Sequence, residues 1–212
     1  SRAKEGPSLV VAPTSVGPNW VAEAHRFAPS LNAILHRGSE RSLAKLGPND
    51  LLITSYDILV RDQAELSRIE FSTAVVDEAQ AIKNGATARA AAARSIRAGF
   101  RLAMTGTPVE NRLGDLFSLM EFLNPGYFGS EDEFRARWVL PIEREQDKHA
   151  SAALARLISP FLLRRKKSEV LPQLPPRIEI VRAVEPSVEE RRLYEAARQT
   201  ALEAIANADE DG

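Results

Sequence analysis

Five short apolar runs, each followed by a turn or a helical stretch, constrain this chain more than any other feature. They are Leu9–Ala12, Ala33–Leu35, Leu51–Ile53, Phe71–Val76 and Phe100–Met104. A strand with one face in water alternates apolar and polar residues, and these runs do not. Strands without alternation are buried on both faces, and when helices separate them they form a parallel α/β sheet. The intervening stretches fit. Pro18 stands near the first turn of a helix that carries Trp20, Ala24 and Phe27 at i, i+4 and i+7. The Ala- and Arg-rich segment Thr87–Ala98 predicts a second helix, with Gly99 as its left-handed stop.

In parallel α/β sheets the chemistry gathers where the carboxyl ends of the strands meet their loops. Two strings stand there. Val75-Val76 ends in Asp77-Glu78-Ala79-Gln80, and Leu102-Ala103-Met104 ends in Thr105-Gly106-Thr107-Pro108. Adjacent carboxylates at a strand tip suit Mg²⁺-dependent hydrolysis of a nucleoside triphosphate. Asp77 would hold the metal through water, Glu78 would orient the attacking water, and Gln80 would reach either the γ-phosphate or the neighbouring loop. The same acidic pair standing alone also reads as a solvated turn. Thr105, Gly106 and Thr107 read as a loop that responds to the acidic pair, or as an ordinary turn before a helix. Pro13 and Thr14 follow one strand, and Thr54, Ser55 and Tyr56 close another on the same edge. Their hydroxyls and backbone N–H groups are candidates for holding the phosphates of a nucleic-acid strand without reading bases.

Beyond Thr107 the pattern changes. Leu113, Leu116, Phe117, Met120 and Leu123 mark a helix face that Asn124-Pro125-Gly126 ends. Ser130-Glu131-Asp132-Glu133 is a capping box opening a helix with Phe134 and Trp138, and a further helix runs from about Ser151 toward Phe161. Arg164–Lys167 is a solvated face or a DNA contact. A stiff Pro-rich connector follows, then a strand over Arg177–Val184 and a helix opened by the capping box at Ser187–Glu190. His25, His36 and His149 are isolated, and Trp20 and Trp138 sit at core spacings.

Composition narrows the function further. The net charge of −1 excludes a uniformly basic nucleic-acid binder, and the absence of cysteine excludes disulfides and thiolate metal sites. No apolar run approaches a membrane span, so no membrane partner is expected. Lack of cysteine fits a reducing cytosol, and abundant Ala and Arg fit a GC-rich bacterial genome.

Asp77-Glu78-Ala79-Gln80-Ala81-Ile82-Lys83-Asn84 resembles the acidic box of the SWI/SNF family of helicase-like DNA-translocating ATPases. Leu102–Phe128 resembles that family's third motif and its extension. Leu9–Trp20 and Ile53–Tyr56 are similar to its DNA-contacting motifs, and Phe161–Val170 to the segment leading out of its first lobe. The resemblance implies a RecA-like parallel sheet flanked by helices, of the P-loop NTPase type, with a helical protrusion after the third motif. It also implies ATP and Mg²⁺ as ligands, double-stranded DNA as partner, an unknown protein cargo and remodelling of protein–DNA complexes. With the composition, the expected setting is bacterial, cytoplasmic and nucleoid-associated. The expected divisions are 1–113 for the partial lobe, 114–163 for the protrusion, 164–186 for the link and 187–212 for a helix opening the second lobe. The family's phosphate loop belongs before Leu9, and the chain contains no Gly-Lys-Ser/Thr. The expectation is therefore a fragment, inactive as an ATPase by itself. The alternative is a non-enzymatic DNA- or protein-binding module derived from such an ATPase.

Overall fold

Five strands pair side by side, all parallel, in the order β2-β3-β1-β4-β5. They are β1 (Ser8–Ala12), β2 (Asn32–Leu35), β3 (Asp50–Ser55), β4 (Glu70–Val76) and β5 (Arg97–Ala103). The computed structural model describes residues 6–39, 41–43, 45–106, 112–165 and 184–210, with side chains as far as residue 202. The chain divides at Leu162 into a sheet-bearing unit and a second unit over 163–212.

The apolar runs explain the layering. Leu9, Val11, Leu52, Ala74 and Val76 turn to one face of the sheet. They form the larger core with buried side chains of α2 (Tyr56–Arg61), α3 (Gln63–Leu66), α4 (Ala88–Ser95) and α5 (Leu113–Leu123). Val10, Ala12, Leu51 and Ile53 turn to the other face, where α1 (Gly17–Phe27) covers them with Trp20, Val21 and Ala24. Gly17 permits this approach, because a Cβ there would stand 3.0 Å from Leu35 Cδ1. Cover is uneven: on the α1 face Phe100, Leu102 and Met104 remain 46%, 42% and 41% exposed.

Two sequence expectations are corrected. Gly99 does not stop a helix: α4 ends at Ser95, Ile96 turns extended with its side chain buried, and Arg97 and Ala98 already pair with Glu70 and Phe71. Burial of Ile96 and the β4 ladder outweigh the helix propensity of Arg97 and Ala98. Phe27 is not a core residue; it is 71% exposed, with the Arg26 guanidinium over its ring.

Helix α5 belongs to two cores. Leu119 and Phe122 pack on the sheet side. Leu116 and Met120 join Phe134, Trp138 and Leu154 in a separate cluster. The capping box forms as expected: Ser130 Oγ accepts from Glu133 N, and the Glu133 carboxylate accepts from Ser130 N. α6 (Glu131–Phe134) passes into a π-helical stretch, Arg135–Arg144, with Pro141 inside it. α7 (Lys148–Ile158) is N-capped by Asp147. In the second unit α8 (Val188–Glu210) is a single helix opened by the reciprocal Ser187–Glu190 hydrogen bonds. The strand expected over 177–184 lies outside the described residues apart from Val184, which is exposed, and Lys166 and Lys167 lie outside them too. No helix among the described residues is long and apolar enough to cross a membrane.

Candidate nucleotide-hydrolysis site

Parallel pairing brings the sequence-predicted tips to one edge. Val11 is level with Val76, Ala12 with Ser55, and Val76 with Ala103. The ladder continues past the strands: Asp77 N donates to Val11 O, Met104 N to Val76 O, and Ala79 N to Met104 O. For Ala79 N to turn back to Met104, the chain must bend sharply at Glu78. Glu78 accordingly adopts φ 51 and ψ 53, the left-handed region, which costs a non-glycine residue about 1–2 kcal/mol. The bend leaves the Glu78 side chain exposed above the edge.

Asp77 is anchored from several directions. Its Oδ2 accepts the indole N–H of Trp20 at 3.0 Å, and its Oδ1 accepts the Glu78 amide at 2.9 Å. Its backbone carbonyl accepts the Tyr56 hydroxyl at 2.6 Å. A carboxylate oxygen has room for more than one donor, so both oxygens keep a lone pair for the water of a hydrated cation. The donor set fits water-mediated Mg²⁺. Among the described residues no group of three or more His, Cys, Asp or Glu side chains forms a direct cage.

A side-chain relay joins the two strings. Gln80 Nε2 donates to Glu78 Oε2 at 2.7 Å, and Gln80 Oε1 accepts from Thr105 Oγ1 at 2.9 Å. Gln80 thus faces the neighbouring loop. Gly106 is exposed with open space where a Cβ would stand, and Thr107 lies outside the described residues.

The residues proposed to hold DNA phosphates divide. Pro13 and Thr14 line an open pocket of about 400 Å³ together with Ser55, Tyr56, Glu78 and Gln80. Thr14 is exposed. Thr54 is buried and donates its hydroxyl to His36 O; the Ser55 side chain caps α2 by accepting from Ile58 N. Tyr56 is 5% exposed with its hydroxyl turned inward. Burial, and then the nearby charges of Asp77 and Glu78, raise the Tyr56 phenol well above its ordinary pKa, so it stays a donor. The hydroxyls of Thr54, Ser55 and Tyr56 are committed inside the protein. Thr14 and the exposed Asp57–Arg89 pair, 2.7 Å apart, form the outer wall.

Sequence reasoning missed Trp20, Asp57 and Arg89. Trp20 shares a stripe with Ala24, so its spacing reads as packing. The available signal was its place in the first turn of the helix that follows a strand, where an indole N–H needs an acceptor. His36, isolated in sequence, proves to be buried and donates from Nε2 to Asp62 at 2.9 Å, beside Arg41.

An all-parallel five-stranded sheet flanked by helices is the architecture of a RecA-like lobe. Residues 1–211 match the model of the SNF2-related domain, and the chain belongs to that family. YwqA of Bacillus subtilis (strain 168), provisionally described as an ATP-dependent helicase/translocase, is 41% identical over 202 residues, covering 92% of this chain and 22% of its own length. The TATA-binding protein-associated factor MOT1 of Saccharomyces cerevisiae is 37% identical over 187 residues, covering 81% of this chain and 10% of its own. The Sulfolobus solfataricus SWI2/SNF2 ATPase core, solved in complex with double-stranded DNA, superposes with a TM-score of 0.71 at 42% identity, over 79% of this chain and 35% of that one. The chain therefore spans about a fifth or less of these curated relatives' length.

Proposed function

We propose that this chain is part of the first lobe of an ATP-dependent translocase on double-stranded DNA, and that Asp77 and Glu78 form its hydrolytic pair. The observation that carries the reading is the exposed, left-handed Glu78 joined through Gln80 to Thr105. A general base has to reach water, and Glu78 does. Its carboxylate is oriented by the Gln80 amide, and it can take a proton from a water aligned on a γ-phosphate. Asp77, held by Trp20 and the Glu78 amide, presents its remaining lone pairs toward a hydrated Mg²⁺. When bound, that cation supplies charge neutralisation on the phosphates. Thr105 reads the state of the pair, because a change at Glu78 alters what Gln80 can donate and accept. Among the described residues, Thr14 and the guanidinium of Arg89, which also pairs with Asp57, are groups available to DNA phosphates on this edge. The phosphate cradle and the opposing lobe would come from elsewhere in the whole protein, so the chain alone is expected to be inactive.

The test is DNA-stimulated ATP hydrolysis by the full-length protein carrying Glu78→Gln. Turnover should fall by at least about 100-fold while nucleotide binding stays near wild type. Turnover within about 3-fold of wild type would remove Glu78 from the mechanism.

A further inference from the structure

We infer that Trp20 and Tyr56 are positioning residues of the hydrolytic pair, the indole setting the Asp77 carboxylate and the phenol setting the Asp77–Glu78 peptide. The inference rests on the hydrolytic reading of Asp77 and Glu78 above.

The geometry is specific. Trp20 lies in the first turn of α1, the helix after β1, and Tyr56 is the first residue of α2, directly after β3. They reach one residue, Asp77, from two helices: Trp20 Nε1 to Oδ2 at 3.0 Å, and Tyr56 Oη to the main-chain oxygen at 2.6 Å. With the Glu78 amide on Oδ1, both carboxylate oxygens are engaged, which selects one rotamer. The phenol acts on the peptide that leads into the left-handed residue. Rotation of that peptide is what would let Glu78 relax toward ordinary φ, and the Tyr56 bond opposes it. Burial of the phenol at 5% exposure means that its hydroxyl must be paired. Of the acceptors on this edge it takes the one that orients Glu78.

A bland explanation competes: both donors merely satisfy themselves on a nearby oxygen. The two differ in what mutation does. Loss of a merely structural bond weakens folding and ligand binding together. Loss of a positioning bond lowers turnover at nearly constant stability and ground-state binding. Supporting partners of a reactive or metal-ligating group are commonly worth about 10–100-fold.

The experiment uses the full-length protein with Tyr56→Phe, Trp20→Phe and Glu78→Gln in parallel. Three quantities are measured: DNA-stimulated kcat, the calorimetric Kd of a magnesium-bound, non-hydrolysable ATP analogue, and Tm. Tyr56→Phe removes one oxygen and keeps the ring, and is the variant least able to disturb the fold. The expected result is a kcat about 10-fold lower in Tyr56→Phe and in Trp20→Phe, with Kd within about 2-fold and Tm within about 3 °C. Wild-type kcat in Tyr56→Phe beside an inactive Glu78→Gln would overturn the positioning role and leave the hydrolytic reading standing. A kcat loss matched by weaker analogue binding and a lowered Tm would also overturn it, in favour of the bland explanation. An active Glu78→Gln enzyme would overturn the hydrolytic reading itself and the inference with it. If Trp20→Phe does not fold, Tyr56→Phe decides.

Discussion

Asp62→Asn should destabilise the sheet-bearing unit by about 1–2 kcal/mol at neutral pH, and the deficit should vanish in acid. Asp62 caps the carboxyl end of α2 and accepts three hydrogen bonds, from Arg41 Nε and Nη2 at 2.6 Å each and from His36 Nε2 at 2.9 Å. His36 in turn continues β2: its N–H donates to Ile53 O and its carbonyl accepts from Thr54. The cluster therefore joins β2, β3 and α2 on the edge that carries the candidate site. Chiefly the Arg41 hydrogen bond, with His36 adding to it, holds the Asp62 carboxyl down to about 2. Against an unfolded value of about 3.9, linkage sets an upper bound of about 2.6 kcal/mol. Solvent still reaches the pair, since the Arg41 and Asp62 side chains are 17% and 13% exposed, so the lower figure is expected. A depressed folded value fixes the sign: the contribution is complete above about pH 4 and is lost as pH falls through about 2. Urea unfolding followed by tryptophan fluorescence reports on this unit, because Trp20 and Trp138 both lie in it. A wild-type-minus-variant difference below about 0.3 kcal/mol at pH 7 would refute the reasoning. So would a difference that stays level from about pH 5 down to about pH 2.5.

Three further outcomes are expected. Phe122→Ala should cost about 3–5 kcal/mol, read in the same urea titration, because Phe122 is 1% exposed in the larger core and its carbonyl accepts from Arg101. In the full-length protein Thr105→Ala should leave ATP hydrolysis within a few-fold but lower the DNA translocated per ATP, measured by triplex displacement alongside phosphate release; an unchanged ratio would assign Thr105 to hydrolysis itself. Gly17→Val should lower Tm by several degrees, since its Cβ would stand 3.0 Å from Leu35 Cδ1 and the branched side chain adds bulk at that contact.

The sheet was legible because its physics is local. A run such as Leu9–Ala12 has no polar residue to show to water, so burial on both faces follows from composition alone. Asp77-Glu78 was legible for a related reason: two charges cannot remain within such a run and must mark its end. What could not be read depends on partners distant in sequence. Asp62 and Arg41 are 21 residues apart, and Trp20 and Asp77 are 57 apart. No periodicity encodes either pair. Gly99 misled because a glycine after an alanine-rich helix usually ends it; here the β4 ladder had already claimed Arg97 and Ala98. Thr54 and Tyr56 misled in the opposite direction. A hydroxyl at a strand tip looks available to a ligand until its neighbours are known, and both were taken up inside the fold.

The left-handed turn at Glu78 sets natural selection and laboratory stabilisation at odds. Glycine or asparagine accepts φ 51 with less strain than glutamate. A library of this chain sorted for heat resistance alone should drift toward those residues at position 78, gaining up to about 1 kcal/mol while discarding the carboxylate. Under the hydrolytic role proposed for Glu78, retention of glutamate there is a signature of selection for turnover, and a consensus or stability-driven redesign of the domain has to hold that one position constant.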